Sequence, residues 1–215
     1  MIGSGLTRTS FPLMLLAGWF VIVAGGFFGL FKYENSVGTA GVAPLFWPAE
    51  SKLEHIQHMT TLIMVVHPQC PCTRASIEEL AVFMTRFHGT VEAQVLFILP
   101  PQFEAGWEKT GTWYEASAIP GVRVTVDPDG REARRFGAQT SGQALIYDQH
   151  GRLIFKGGIT GQRGHAGDNA NLDAAIATLT GDENPTSVTP VYGCALNAPQ
   201  VPKTASAAHL RSLKL

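Results

Sequence analysis

Charge is scarce in this sequence, and none of it is gathered. Lys and Arg total 16 and Asp and Glu 17 in 215 residues, a charged share of 15% with a net charge of −1. No basic block is present, so nothing in the chain favours nucleic acid as a partner. Cysteine is rarer still. Cys70, Cys72 and Cys194 are the full set, and an odd number leaves one thiol over from any pair. There is no internal repeat. Long hydrophobic runs are also absent, with one exception.

That exception is FPLMLLAGWFVIVAGGFFGLF at 11–31, which holds no charge. As a helix it would be roughly 31 Å long, the thickness of a bilayer core. A buried helix of a soluble domain would normally keep a polar face. The run exceeds the ~7–15-residue apolar stretch of a secretory signal. The small-residue site Gly41-Val42-Ala43 is followed by Pro44, a poor start for a mature chain. An uncleaved anchor is therefore expected. Arg8 precedes the span while Lys32 and Glu34 follow it, which leans toward a cytoplasmic N-terminus. The chain then divides into a cytoplasmic 1–10, a transmembrane 11–31, a linker 32–54 rich in Gly, Pro and small residues, a globular domain 55–181, and an irregular extension 182–215 of low periodicity. The expected place is a bacterial inner membrane, crossed once, with the C-terminal domain in the periplasm, where disulfides persist.

Within the domain, TLIMVV (61–66) reads as a buried strand. Ile77, Leu80, Ala81, Met84 and Phe87 recur at spacings of three and four, an amphipathic helix ending near Gly89. TVEAQVLFIL (90–99) is a second strand stopped by Pro100-Pro101, and 102–118 is loop and helix. GVRVTVD (121–127) is a third strand, REARRFGA (131–138) a short helix, QALIYD (143–148) and RLIFKGGI (152–159) a hairpin pair, and NLDAAIATL (171–179) a closing helix. This order predicts an α/β sandwich around a central mixed sheet.

HPQCPC places Cys70 and Cys72 at the join of the first strand and its helix. The start of a helix favours negative charge and lowers a thiol's pKa, and the thiolate is the reactive form. A Cys-X-Cys disulfide would close a very small, strained ring, and a strained disulfide is easily reduced. Pro68 and Pro71 shape this loop by fixing φ. His67, three residues before Cys70, suits a proton acceptor or a soft-metal ligand. Cys194, in TPVYGCAL, could pair with either thiol, add a third metal ligand, or stand alone.

The strand running into a cysteine-bearing loop and helix, followed by β, α, β, β and α over about 55–181, resembles the thioredoxin-like superfamily. VDPDGREARRFGAQTSGQALIYDQHGRLIFKGGI (126–159) is similar to the second half of its periplasmic members. HPQCPCTRAS and GGITGQRGHAGDN are similar to RedB-type membrane-anchored thioredoxin-like proteins of bacteria. The resemblance implies a three-layer sandwich, Cys70 as nucleophile and Cys72 as resolving thiol. Two features depart from the family. The cysteines are one residue too close, and the groove proline that faces them in the family is replaced at Ser141-Gly142. Ser141, Gly142 and Pro71 would line the substrate groove, against which an extended thiol substrate could lie by strand addition.

The loop 157–169 carries five glycines with Arg163, His165 and Asp168 between them. It lacks the Gly-Lys-Ser/Thr ending of a phosphate loop. It reads as a partner- or anion-binding loop, or as one braced by an Arg–Asp pair, with Asn169 or Asp168 capping the last helix. Trp107, Trp113 and Tyr114 are expected in packing. Taken together, the leading expectation is a membrane-anchored thiol–disulfide oxidoreductase acting on exported protein thiols or disulfides without a cofactor. The alternative is a copper-binding, metallochaperone-like module using Cys70, Cys72, His67 and Cys194, since monovalent copper favours thiolates. A peroxide-reducing enzyme of the same superfamily and a redox-inactive binding module also fit.

Overall fold

The apolar run at the start of the chain forms helix α1 (Thr7–Glu34), which extends the expected span at both ends. Its stretch Pro12–Glu34 has a mean hydropathy of 2.2 and is long and apolar enough to cross a membrane. In this computed structural model the described residues are 7–56, 58–181 and 186–196. Residues 1–6 of the expected N-terminal segment, and 182–185 and 197–215 of the expected extension, lie outside them. Residues 1–36 form one unit and 37–215 a second.

The second unit is built on a five-stranded sheet in the order β3-β2-β1-β4-β5. Strand β1 (Thr60–Val66) is central. It pairs in parallel with β2 (Val91–Leu99) and antiparallel with β4 (Gln143–Tyr147). Beyond them β3 (Val122–Pro128) adds in parallel to β2, and β5 (Leu153–Gly158) closes the hairpin with β4. Central strands buried on both faces read as continuous apolar runs, and LIMVV is one. Leu62, Met64 and Val66 face one core with Leu80 and Phe83 of α2 (Pro71–Arg86) and Leu172 and Ile176 of α5 (Ala170–Thr180). Helix α3 (Gly111–Ser117) adds Ala116 to the same side. Ile63 and Val65 face a second core with Ala133 of α4 (Arg131–Arg135), Phe136 and Leu145. The three layers are thus α2, α3 and α5, the sheet, and α4 with the segment described next.

Two expectations about irregular chain are corrected. Residues 37–54, read as a linker, pack on the second core. Trp47 sets its ring edge-to-face against Phe136 and Tyr147 at 5.0 and 5.4 Å. Leu153 N donates to Leu45 O at 2.9 Å, and Trp47 N to Gly151 O at 2.7 Å. Composition marked these residues as flexible, but a few apolar anchors are enough to hold such a stretch. The domain boundary at 181 also moves, because 186–196 of the expected extension runs beside β5. Lys156 N donates to Ser187 O at 2.9 Å and Thr189 N returns a bond to Lys156 O at 3.2 Å. Val191 and Leu196 are buried. This segment covers an edge strand whose backbone groups would otherwise be unpaired.

Candidate functional site

Strand β1 delivers HPQC to the start of α2. Cys70 is the N-cap of α2, with extended backbone at φ −78° and ψ 125°, and Pro71 opens the helix. Proline is favoured there because its missing N–H would have been unpaired anyway. Cys72 follows within the same turn. The loop is tied from several directions. Thr73 Oγ1 donates to His67 O at 2.8 Å, so Ser141 Oγ donates the 3.1 Å bond to Thr73 Oγ1 while accepting from His67 N at 2.8 Å. Thr110 Oγ1 donates to Pro68 O at 3.3 Å.

The third thiol joins the other two. Cys194 Sγ lies 2.9 Å from Cys70 Sγ. Ser141 N donates to Cys194 O at 2.8 Å, and Leu196 N to Gln139 O at 2.9 Å. Thr140 and Ala195 form an antiparallel bridge. The chain's own segment therefore occupies the edge at Ser141 where strand addition by a substrate is expected. In consequence the cysteines are not open at the surface: Cys70 and Cys72 are 5% and 4% exposed, while Cys194 is the more accessible thiol. Nothing at the cysteine loop itself signals this cover over Cys70 and Cys72, because the covering segment lies more than a hundred residues away in sequence. Pro71 is exposed between its two buried neighbours.

Electrostatics separates the three thiols. Cys70 is held well below the usual thiol range, first by the hydrogen bond from Cys194 and then by that from Cys72, against the opposing effect of burial. Cys194, as the donor to Cys70, is pushed far above that range, with burial adding to the shift. For Cys72 the contact with Cys194 pulls downward, but the contact with Cys70, burial and the Cys70 charge outweigh it, and the thiol stays protonated. Arg163 acts on Cys72 in the downward direction, which brings one residue of the glycine-rich loop to the site.

Ser141 is fully buried and Gly142 takes φ +87°. Gly142 N donates to Val65 O at 2.8 Å, a bond that proline could not make, and a Cβ there would meet Ser76 Oγ at 2.5 Å. Ser141-Gly142 thus does not line an open groove. It fixes β4 to β1 and holds Cys194 by its carbonyl.

His67 is buried. Its Nδ1 accepts from Gln69 N at 3.3 Å, and its ring packs edge-to-face on Trp107 at 5.5 Å. Burial lowers its pKa, with the Cys70 charge opposing, so the ring is neutral and Nε2 carries the proton. Nε2 has no hydrogen-bond partner. The lone pair expected to take a thiol proton is already engaged. Among the described residues, no group of three or more His, Cys, Asp or Glu side chains is arranged to hold a metal ion.

His165 and Asp168 belong to a pocket that no cysteine lines. They are exposed and line a pocket of about 400 Å³ with Gly161, Gln162 and Asn169. Asn169 caps α5 through its side chain, accepting from Asn171 N and Leu172 N. Glu79, which the helical pattern sets among the polar positions of α2, is buried and accepts from Gly167 N at 2.6 Å, which ties this loop to the cysteine helix. Burial raises its pKa against that bond. Trp107 stacks on Phe103 at 4.1 Å and Trp113 packs on Phe97 at 5.1 Å, both in packing as expected, while Tyr114 is exposed. A signal for the covering segment was present in Gly157-Gly158. Paired glycines inside a strand mark close backbone approach, and a Cβ on Gly157 would meet Thr189 Oγ1 at 2.0 Å.

No protein-family model matches the chain, and no curated protein matches it. Solved structures do. A hypothetical protein from Sinorhizobium meliloti 1021 covers 74% of this chain and 93% of its own at 23% identity, with a TM-score of 0.53. An uncharacterized conserved protein from Geobacillus kaustophilus covers 79% and 96% at 14% identity, with a TM-score of 0.56. The pneumococcal exposed lipoprotein thioredoxin from Streptococcus pneumoniae covers 58% and 86% at 17% identity, with a TM-score of 0.43. Strand order β3-β2-β1-β4-β5, with the cysteine loop between the central strand and its helix, decides the architecture. The fold is thioredoxin-like. Relative to the family pattern described above, this thioredoxin-like domain carries a glycine N–H at the groove-proline position and a third thiol at the cysteine loop.

Proposed function

We propose that the chain is a membrane-anchored thiol–disulfide oxidoreductase whose domain lies on the exported side and exchanges disulfides with exported protein thiols. One observation carries the reading: a thiol at the N-cap of α2 stands 2.9 Å from a second thiol, with a third in the same turn. The helix start and two neighbouring S–H groups stabilise Cys70 as a thiolate, the form that attacks a disulfide sulfur and leaves readily when attacked. Cys70 and a neighbouring thiol exchange with the client through a mixed disulfide, with Cys70 as the sulfur that attacks or leaves. His67, neutral and with Nδ1 engaged, shapes the loop and takes no proton in this exchange. Helix α1 supplies the anchor.

The test is reduction of insulin and refolding of scrambled ribonuclease by the full chain in detergent micelles. Cys70→Ser should reduce either activity about 10³-fold or more, as loss of a covalent nucleophile does. Absence of turnover in both assays by the folded wild-type protein would rule the proposal out.

A further inference from the structure

Cys194 arrives at Cys70 on a segment bound as a client strand would be bound. Its carbonyl accepts from Ser141 N, Thr140 bridges Ala195, and Val191 and Leu196 anchor the ends. The approach is close enough that a Cβ on Gly193 would fall 1.9 Å from Ser141 O. The segment also leaves Cys194 as the most exposed of the three thiols. We propose that the working redox couple is Cys70–Cys194, with residues 186–196 acting as a built-in substrate strand and Cys194 as the sulfur that meets the client. This rests on the exchange reading above and puts Cys194, not Cys72, beside Cys70 in the couple.

The chemistry balances as one exchange. In the oxidised form a client thiolate attacks the Cys194 sulfur, the Cys70–Cys194 bond breaks, and Cys70 leaves as the thiolate its site stabilises. The client's second thiolate then attacks its own sulfur in that mixed disulfide and expels Cys194, which takes up a proton. The client dithiol loses two electrons and closes a disulfide; the Cys70–Cys194 pair gains the two electrons. The reverse sequence, with a client disulfide as the oxidant, restores the pair. Geometry assigns the direction of attack: the outward sulfur is the accessible one, and the buried sulfur is the better leaving group.

No Lys or Arg separates Cys70 from Cys72, so trypsin leaves both on peptide 53–74, while Cys194 lies on 164–203. The full chain in micelles is reduced, re-oxidised with glutathione disulfide, acid-quenched, digested and weighed. Linked 53–74 and 164–203 peptides are expected in wild type and in Cys72→Ser, and their loss in Cys194→Ser. Gly193→Ala keeps all three thiols but displaces the strand, and should slow closure of the link by about 10- to 100-fold. A Cys70–Cys72 disulfide within peptide 53–74, with Cys194 free, would overturn the inference and leave the exchange reading standing. A Cys70 that enters no disulfide under any condition would overturn both.

Discussion

Two irregular segments are fastened to this sheet, and they do different work. Residues 37–54 insert Trp47 among Phe136, Tyr147 and His55 and close the second core. Residues 186–196 bury Val191 and Leu196, and between those anchors carry a thiol to the mouth of α2. Both bind through backbone hydrogen bonds to neighbouring loops and to the β5 hairpin. They also touch each other, where Gly38 N donates to Val191 O at 2.8 Å. The first segment substitutes for a covering helix. The second substitutes for a client. The difference teaches that packing and chemistry here are divided between segments with the same lack of regular structure, so the side chain delivered, not the backbone form, sets the role.

The strongest way to separate them is to dislodge the first alone. Gly137 has φ +66°, and a Cβ there would lie 2.0 Å from Val42 O. Gly137→Ala should cost about 3 kcal/mol through backbone strain and displacement of the segment. In a domain of this size that is a melting-temperature loss of roughly 10 °C by calorimetry. The thiol exchange of the protein still folded should persist, and a parallel loss of exchange would erase the distinction between the segments.

A second test acts on the thiol segment without touching the core. Cys194→Ala removes the hydrogen bond that contributes most to the lowered Cys70 pKa. Followed by thiolate ultraviolet absorbance against pH, the titration of Cys70 should move upward toward the ordinary thiol range. Cys194→Ser, which keeps a donor, should move it less. An unmoved midpoint would show that the helix start alone acidifies Cys70.

The smallest expected effect lies at Glu79, the tie between α2 and the glycine-rich loop. Its folded pKa is raised by burial, so the folded state holds that proton more tightly than the unfolded state. Stability therefore falls as pH rises from the ordinary carboxylate value through the raised one. Asp127, buried and raised for the same reason, adds to the same slope. Glu79→Gln keeps an acceptor for Gly167 N, should change stability at neutral pH by no more than about 1 kcal/mol, and should remove only the Glu79 part of the slope. Melting temperature against pH checks it, and an unchanged slope would contradict the shift.

Much of this architecture can be read from residue pattern. LIMVV is apolar at every position because β1 is buried on both faces, and Ile77, Leu80 and Met84 recur at helical spacing because one face of α2 meets the sheet. HPQCPC falls at a strand–helix join, which is where the fold puts it. The glycine and proline content of 37–54 and 186–196 marks the absence of helix or strand correctly, but conceals that both are packed. Composition reports local conformational preference, whereas their order comes from contacts made far along the chain.

By itself, then, the sequence determined the strands, the helices, the apolar N-terminal helix and the position of two cysteines at a helix start, because each follows from local periodicity or adjacency. Only the tertiary structure decided that Cys194 meets Cys70, that Ser141-Gly142 grips the chain's own strand, and that His67 is a neutral, engaged ring. Those facts depend on which backbone edges find each other across 124 residues, and pairing at that range is set by the whole folded sheet rather than by any neighbour in the chain.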